Sequence, residues 1–191
     1  MLKKIIFMGT PLFAVPILKS LYQNGYPISV VYTQPPQKSN RGMGFNKSPI
    51  QGLSETLNLE VRTPKSIKNN KDEYNYLKKL EADIGIVVAY GQLLPKEILN
   101  LTKKGFINIH ASLLPLWRGS APIERSIMNG DKQTGISFMK ISEKLDTGPI
   151  CNSYSLDILE NENAKSLTER LSLLSAEKIL DEVDLILEGK A

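Results

Sequence analysis

The chain has few of the side chains from which disulfide frameworks and zinc sites are built. Its 191 residues include one histidine, His110, and one cysteine, Cys151. A single cysteine excludes an intrachain disulfide, and one histidine with one cysteine falls short of the usual ligand set of a zinc site. Sites made only of carboxylates stay open from composition, but no residue pattern points to one, so we expect no metal.

Long apolar runs are also missing. No stretch reaches the length of about 18 apolar residues that crosses a bilayer. The N-terminal segment MLKKIIFMGTPLFAVPIL has the basic start and apolar run of a signal peptide. However, Gly9, Pro11 and Pro16 interrupt the run, and no small-residue cleavage site follows. We therefore expect a cytoplasmic protein without membrane contact. We also expect the protein to be a monomer.

The common phosphate-binding loops are absent as well. After the first apolar run the sequence offers only GTP (Gly9 to Pro11), which is neither the glycine-rich dinucleotide fingerprint nor a Walker loop. The formal charge is +4, from 24 basic and 20 acidic residues. This mildly basic balance permits contact with nucleic acid without requiring it, and a lysine-rich surface explains it equally well.

What is present is an alternation of short apolar runs and longer amphipathic stretches. The runs predict strands at Lys3–Gly9, Ile28–Thr33, Asp83–Tyr90, Phe106–His110 and Gly135–Ile141, with a short one at Leu59–Arg62. Helices are predicted from a Thr10 N-cap to about Asn24, and at Pro49–Leu57, Asn70–Leu80, Ala121–Met128 and Lys165–Glu188. This order predicts one α/β domain, a Rossmann-like, mostly parallel sheet with helices on both faces.

Ligands of such sheets bind at the carboxyl ends of the strands. That rule selects Gly9–Pro11, Ala89–Gln92 and His110–Arg118 as candidate site segments. The loop Gln34–Pro49 is unusually long and carries three basic residues. Loops of this length are either functional or mobile, and both interpretations stay open.

Asn108 and His110 are two residues apart on a predicted strand, so their side chains share one face. Asp146 follows the next strand, and a parallel neighbour would bring its loop beside His110. An amide donor, a proton carrier and a fixed carboxylate together suit acyl transfer, in which an oxyanion needs donors and protons must move. A lone histidine at a strand end is more often a packed, hydrogen-bonded residue, and the residues alone leave that alternative open.

Several motifs together resemble a known family. NIHASLLPLWRGSAPIERSIMNGD and LDTG, with MGTPLFAVPIL, TQPPQKSNRGMGFNKSPI and VVAYGQLLPKEIL, are similar to the methionyl-tRNA formyltransferases, which use 10-formyltetrahydrofolate. The resemblance covers essentially the whole chain. It implies transfer of the formyl group to the amino group of initiator methionyl-tRNA, with Asn108, His110 and Asp146 as the catalytic trio.

The same resemblance implies the binding residues. Folate contacts are expected at Ser112, Leu113, Leu114 and Pro115, and contacts with the tRNA acceptor arm at Arg41 and Gly42. The segment RGMGFNK is less basic than is usual in the family, which predicts a weaker hold on tRNA. Members usually continue into a second β-barrel domain, so we expect residues 1–191 to be the catalytic domain alone.

Two other functions remain open from the sequence. Relatives with the same chemistry formylate glycinamide ribonucleotide or an amino sugar nucleotide, or release formate to water. A non-catalytic module that holds folate or RNA is the alternative of another class.

Overall fold

A computed structural model describes residues 3–38 and 44–190. Nine strands are present in the described part: β1 Ile5–Gly9, β2 Ile28–Tyr32, β3 Gln37–Lys38, β4 Phe45–Asn46, β5 Val61–Arg62, β6 Ile84–Val88, β7 Phe106–His110, β8 Gln133–Lys140 and β9 Ile150–Asp157. The helices there are α1 Val15–Gln23, α2 Pro49–Thr56, α3 Lys71–Leu80, α4 Lys96–Leu99, α5 Pro122–Met128 and α6 Ala164–Glu188.

Seven of the strands form one sheet in the order β5-β2-β1-β6-β7-β8-β9, and β3 pairs with β4 in a small separate ladder. The first five strands in this order, β5, β2, β1, β6 and β7, are parallel to one another. Strands β8 and β9 run antiparallel to their neighbours. The prediction of a mostly parallel sheet is therefore confirmed. The sequence did not predict β9 or the short elements α4, β3 and β4, the last two of which lie in the segment expected to be the loop Gln34–Pro49.

The chain reverses direction after β7 because the following connection stays at that end of the sheet. The connection consists of a compact turn and the short helix α5, which does not return the chain to the starting end of β7. Strand β8 therefore starts beside the end of β7, with Ser137 opposite His110 and Lys140 opposite Ile107. The expectation that this neighbouring strand is parallel is wrong.

Helices cover both faces of the sheet, as predicted. On one face α1 and α6 pack against the sheet, with Ile17 and Ile179 fully buried beside Ile107 and Ile109 of β7. On the other face α3 and α4 bury a second core that includes Phe106. Because side chains alternate along a strand, Asn108 and His110 share the second face with Phe106.

The first helix begins later than predicted. A 3-10 turn occupies Leu12–Ala14 and α1 starts at Val15, so Thr10 is not its N-cap. The Thr10 hydroxyl instead donates to the carbonyl of Tyr90 at 2.9 Å, which ties the end of β1 to the segment after β6. In the described part of the chain, no helix combines the length and the hydropathy needed to cross a bilayer.

Candidate active site

A cleft of about 630 Å³ lies at the carboxyl ends of β6 and β7. Its lining is mostly apolar, with side chains such as Val87, Leu94 and Met139. The backbone of Ala89–Gln92, which follows β6, forms one wall. The volume is in the range of small-molecule sites, and the position is the one that the parallel sheet predicts.

Strand β7 brings Asn108 and His110 into this cleft. The strand forms because FINIH joins β-branched and aromatic residues between Gly105, at φ 82°, and the turn that follows. Asn108 is half-buried, and no group among the described residues hydrogen-bonds its side-chain amide. Its N–H groups are therefore available to a ligand in the cleft.

Asp146 reaches His110 by a different route from the one predicted. The end of β8 lies at the opposite end of β7, so the loop after β8 does not leave the sheet beside His110. The loop turns back toward the other end of β7, where its residues 142–146 line the cleft. Asp146 itself takes a left-handed backbone conformation with φ 48°.

Both nitrogens of the His110 ring face oxygen atoms. Nε2 lies 2.9 Å from the carbonyl oxygen of Trp117. A carbonyl only accepts, so Nε2 carries a proton in this contact. Nδ1 lies 3.8 Å from Asp146 Oδ2. That separation is within ion-pair range but too long for a hydrogen bond. The same Oδ2 accepts the backbone N–H of Gly119 at 2.8 Å, which fixes the carboxylate.

The turn that contacts His110 and Asp146 is backbone-strained. Trp117, Gly119 and Ala121 have φ values of 55°, 88° and 59°, all in the left-handed region. Glycine adopts that region freely, but a tryptophan there is uncommon and unfavourable. Strain of this kind persists only where the surroundings hold it, and it concentrates at functional sites.

The four residues expected to contact folate lie beside the cleft and are not among those that line it. They form a tight turn that packs on β8, where the Ser137 hydroxyl accepts the N–H of Leu114 and donates to the carbonyl of Ser112. The Ser112 hydroxyl donates to the carbonyl of Leu116. Contact between folate and Ser112, Leu113, Leu114 or Pro115 stays a prediction.

Arg41 and Gly42 lie outside the described residues. The flanking parts of their loop border a smaller depression of about 420 Å³, lined in part by Thr10, Gln34, Lys38 and Ser48. Hydrogen bonds join the walls of the two depressions. Thr10 and the Gln34 side-chain amide, which line the smaller depression, both donate to the carbonyl of Tyr90, which lines the larger cleft.

Besides His110 and Asp146, the ionisable side chains that line the cleft are Tyr90 and the exposed Glu124, Glu143 and Lys144. The Tyr90 ring points into the core behind the wall, and burial, with a smaller effect of Glu73, raises the pKa of its phenol. Lys96 and Glu143 form an exposed ion pair of 3.0 Å between α4 and the Asp146 loop. Among the residues that the structure describes, no three His, Cys, Asp or Glu side chains cluster as metal ligands.

Sequence reasoning missed the backbone groups that complete the site. The carbonyl of Trp117 and the N–H of Gly119 hold His110 and Asp146, yet neither depends on a side chain that a motif could reveal. The only signal was the run of turn-forming residues between Pro115 and Pro122, which predicts a turn but not its contacts.

Curated proteins similar to this chain are methionyl-tRNA formyltransferases. Over 190 residues the chain is 63% identical to the methionyl-tRNA formyltransferase of Pelagibacter ubique, covering 100% of this chain and 61% of that protein. It is 44% identical to the methionyl-tRNA formyltransferase of Caldanaerobacter subterraneus, covering 98% of this chain and 60% of that protein. The chain thus spans about three fifths of the length of these relatives.

Solved structures share the fold. Phosphoribosylglycinamide formyltransferase from Bacillus halodurans superposes with a TM-score of 0.79 at 19% identity, over 97% of this chain and 94% of that one. Glycinamide ribonucleotide transformylase 1 from Geobacillus kaustophilus gives a TM-score of 0.77 at 19% identity, over 98% and 100%. The formyl transferase family model matches residues 3–183. Motifs, fold and family model agree, and the chain belongs to the formyl transferase family.

Proposed function

We propose that this chain is a catalytic domain, residues 1–191, that transfers the formyl group of 10-formyltetrahydrofolate to the amino group of initiator methionyl-tRNA in the cytoplasm. The observation that carries the proposal is the convergence of Asn108, His110 and Asp146 at one cleft. The 63% identity to a methionyl-tRNA formyltransferase supports the choice of acceptor.

The cleft suits a folate. It has the volume of a small-molecule site, and apolar side chains line most of it, as a flat aromatic ring requires. The segment Ala89–Gln92 lies along one side of the cleft, where it would border the bound folate. The folate would supply the activated formyl group, and the protein supplies position and electrostatics.

Asn108, His110 and Asp146 each have a separate role in formyl transfer. The Asn108 amide donates to the formyl oxygen, where negative charge develops as the amine attacks. Because Nε2 of His110 is committed to Trp117, the neutral ring presents the Nδ1 lone pair, which takes a proton from the attacking amine. The Asp146 carboxylate lies 3.8 Å from Nδ1. Its charge stabilises the imidazolium so formed, which then returns the proton to the leaving nitrogen.

The acceptor is tested with formyl-labelled 10-formyltetrahydrofolate and a panel of amines. Initiator methionyl-tRNA, glycinamide ribonucleotide and an amino sugar nucleotide are supplied separately to the chain, and formate release to water is followed in parallel. We expect label on methionyl-tRNA only. Label on another amine would reassign the acceptor, and folate binding without any transfer would identify a non-catalytic module.

A further inference from the structure

A series of hydrogen bonds connects Asp131, just after the end of α5, to the His110 ring. The Asp131 carboxylate accepts the Trp117 indole N–H at 2.7 Å, and the Trp117 carbonyl contacts His110 Nε2 at 2.9 Å. We propose that Trp117 and Asp131 are positioning residues for His110, with Asp131 anchoring the indole so that the Trp117 carbonyl keeps the ring proton on Nε2.

The backbone of Trp117 needs such an anchor. Its φ of 55° is unfavourable for a bulky side chain, and a substitute turn with an ordinary φ would aim the carbonyl elsewhere. Gly119 and Ala121, in the same turn, are left-handed as well. The indole N–H is the only side-chain donor with which Trp117 can oppose this strain.

Asp131 is the fixed end of this series of hydrogen bonds. Its backbone N–H donates to the carbonyl of Ser126, a fully buried residue of α5, at 3.0 Å. Its second carboxylate oxygen accepts the Asn129 side-chain amide at 2.6 Å. One oxygen of Asp131 is thus held by its own turn while the other receives the indole, which sets the position of Trp117.

The consequence concerns which nitrogen of His110 handles the proton. With Nε2–H bonded to a carbonyl, the neutral ring has its lone pair on Nδ1, the nitrogen beside Asp146. If the carbonyl moved away, the proton could sit on either nitrogen, and a fraction of molecules would present an N–H where the base is required. Trp117 and Asp131 therefore select the competent tautomer without touching substrate.

His110 is the only histidine, so its tautomer can be read directly. The chain is labelled with ¹⁵N-histidine, and the two ring nitrogens are followed by NMR at alkaline pH in wild type, Trp117→Phe and Asp131→Ala. We expect one widely separated pair of nitrogen signals in wild type, with the proton on Nε2. In both variants the two signals should converge, and exchange of the Nε2 proton should accelerate about tenfold, the factor that one lost hydrogen bond produces.

Two further variants serve as controls. Asp131→Asn keeps an oxygen for the indole, and the exposed Asn129 side chain can turn to offer its carbonyl oxygen to the new amide, so this variant should retain the wild-type spectrum. Met128→Ala removes an exposed side chain of α5, 86% accessible, and should change neither spectrum nor activity. Unchanged ring signals in both Trp117→Phe and Asp131→Ala would overturn the proposal, as would an equal change in Met128→Ala.

The kinetic test of Trp117 rests on the proposed function, because it measures formyl transfer. In the formyl-transfer assay Trp117→Phe should lower kcat about tenfold, as one lost positioning hydrogen bond would, and leave KM for the folate unchanged. A rise in KM with unchanged kcat would contradict the positioning role. Absence of transfer in every variant, wild type included, would overturn the proposed function, and the NMR comparison would still decide the role of Trp117 and Asp131.

Discussion

Asp146 Oδ2 lies 3.8 Å from His110 Nδ1 and 2.8 Å from the backbone N–H of Gly119. The carboxylate is therefore held by the turn that also supplies the Trp117 carbonyl, and it faces the ring without a direct hydrogen bond. In the proposed mechanism its contribution is that of a fixed negative charge, which would matter most when the ring becomes an imidazolium.

Asp146→Asn should lower kcat by about 100-fold, the lower end of what positioned proton transfer contributes, with little change in KM for the folate. Asparagine tolerates the left-handed backbone of this position and keeps an oxygen for Gly119, so only the charge is lost. Steady-state kinetics at saturating acceptor measure the effect. Wild-type turnover in this variant would show that the charge is not used.

His110→Ala should reduce transfer by about 10² to 10⁴ while the protein remains folded. The ring makes one hydrogen bond of its own, to Trp117. His110 is 7% exposed, and removal of its ring leaves the Trp117 carbonyl without this partner, so the loss of stability should be about 1–3 kcal/mol. In a domain of this size each kcal/mol lowers Tm by about 2–4 °C. A large fall in Tm with retained transfer would identify His110 as a packing residue instead.

Gly148→Ala should impair the Asp146 loop selectively. A Cβ at Gly148 would overlap the carbonyl oxygen of Lys140, so the loop would have to shift where it rejoins the sheet. Overpacking of this kind costs about 1–3 kcal/mol. Because the loop forms part of the cleft and not of the core, we expect the loss mainly in kcat.

Gly52→Ala is the matched control. Gly52 lies within α2, where a new Cβ meets nothing within 4 Å. Alanine is favoured over glycine in a helix by about 1 kcal/mol. The Tm should therefore rise slightly and transfer should be unchanged. Equal kinetic effects of the two substitutions would contradict a specific role of Gly148.

The elements that sequence predicts best here are those whose signal is local. Strand β7 was predicted with its observed bounds, because a β-branched run between a glycine and a turn has few other structures available. Strand β9 was missed because Ile150–Asp157 is an edge strand with mostly exposed, polar side chains. Its stability comes from pairing with β8, which no local pattern reports.

Contacts between distant parts of the sequence account for the other differences. Thr10 has the composition of an N-cap, but its hydroxyl bonds the carbonyl of Tyr90, far along the chain. Asp146 was predicted from its place after the next strand, which was expected to be parallel, and the family resemblance implied the same residue. Its actual route to His110 depends on the antiparallel turn after β7. Such features follow from how elements pack and from backbone groups, which carry no residue-type signal.

The Arg62–Glu73 pair predicts a pH dependence of stability away from the cleft. Glu73 is 8% exposed and accepts two hydrogen bonds from Arg62, at 2.7 and 2.9 Å, and one from the Tyr32 hydroxyl. Burial alone would raise the pKa of Glu73, but these bonds outweigh it and hold the pKa below its ordinary value.

A carboxylate with a lowered folded-state pKa stabilises the protein above its unfolded pKa, about 4.3, and the contribution disappears as pH falls through the folded value. Glu73→Gln should therefore lower the free energy of unfolding by about 1–3 kcal/mol at pH 7, and the gap to wild type should narrow as the pH falls below the unfolded value. Glu55→Gln removes an exposed partner of Lys47 and should leave stability nearly unchanged, as the loss of a surface ion pair usually does. Denaturant unfolding of all three proteins at pH 7 and at pH 3.5 measures the gap. A gap for Glu73→Gln that stays constant with pH would mean that the lost packing and geometry, and not the charge, account for its stabilising role.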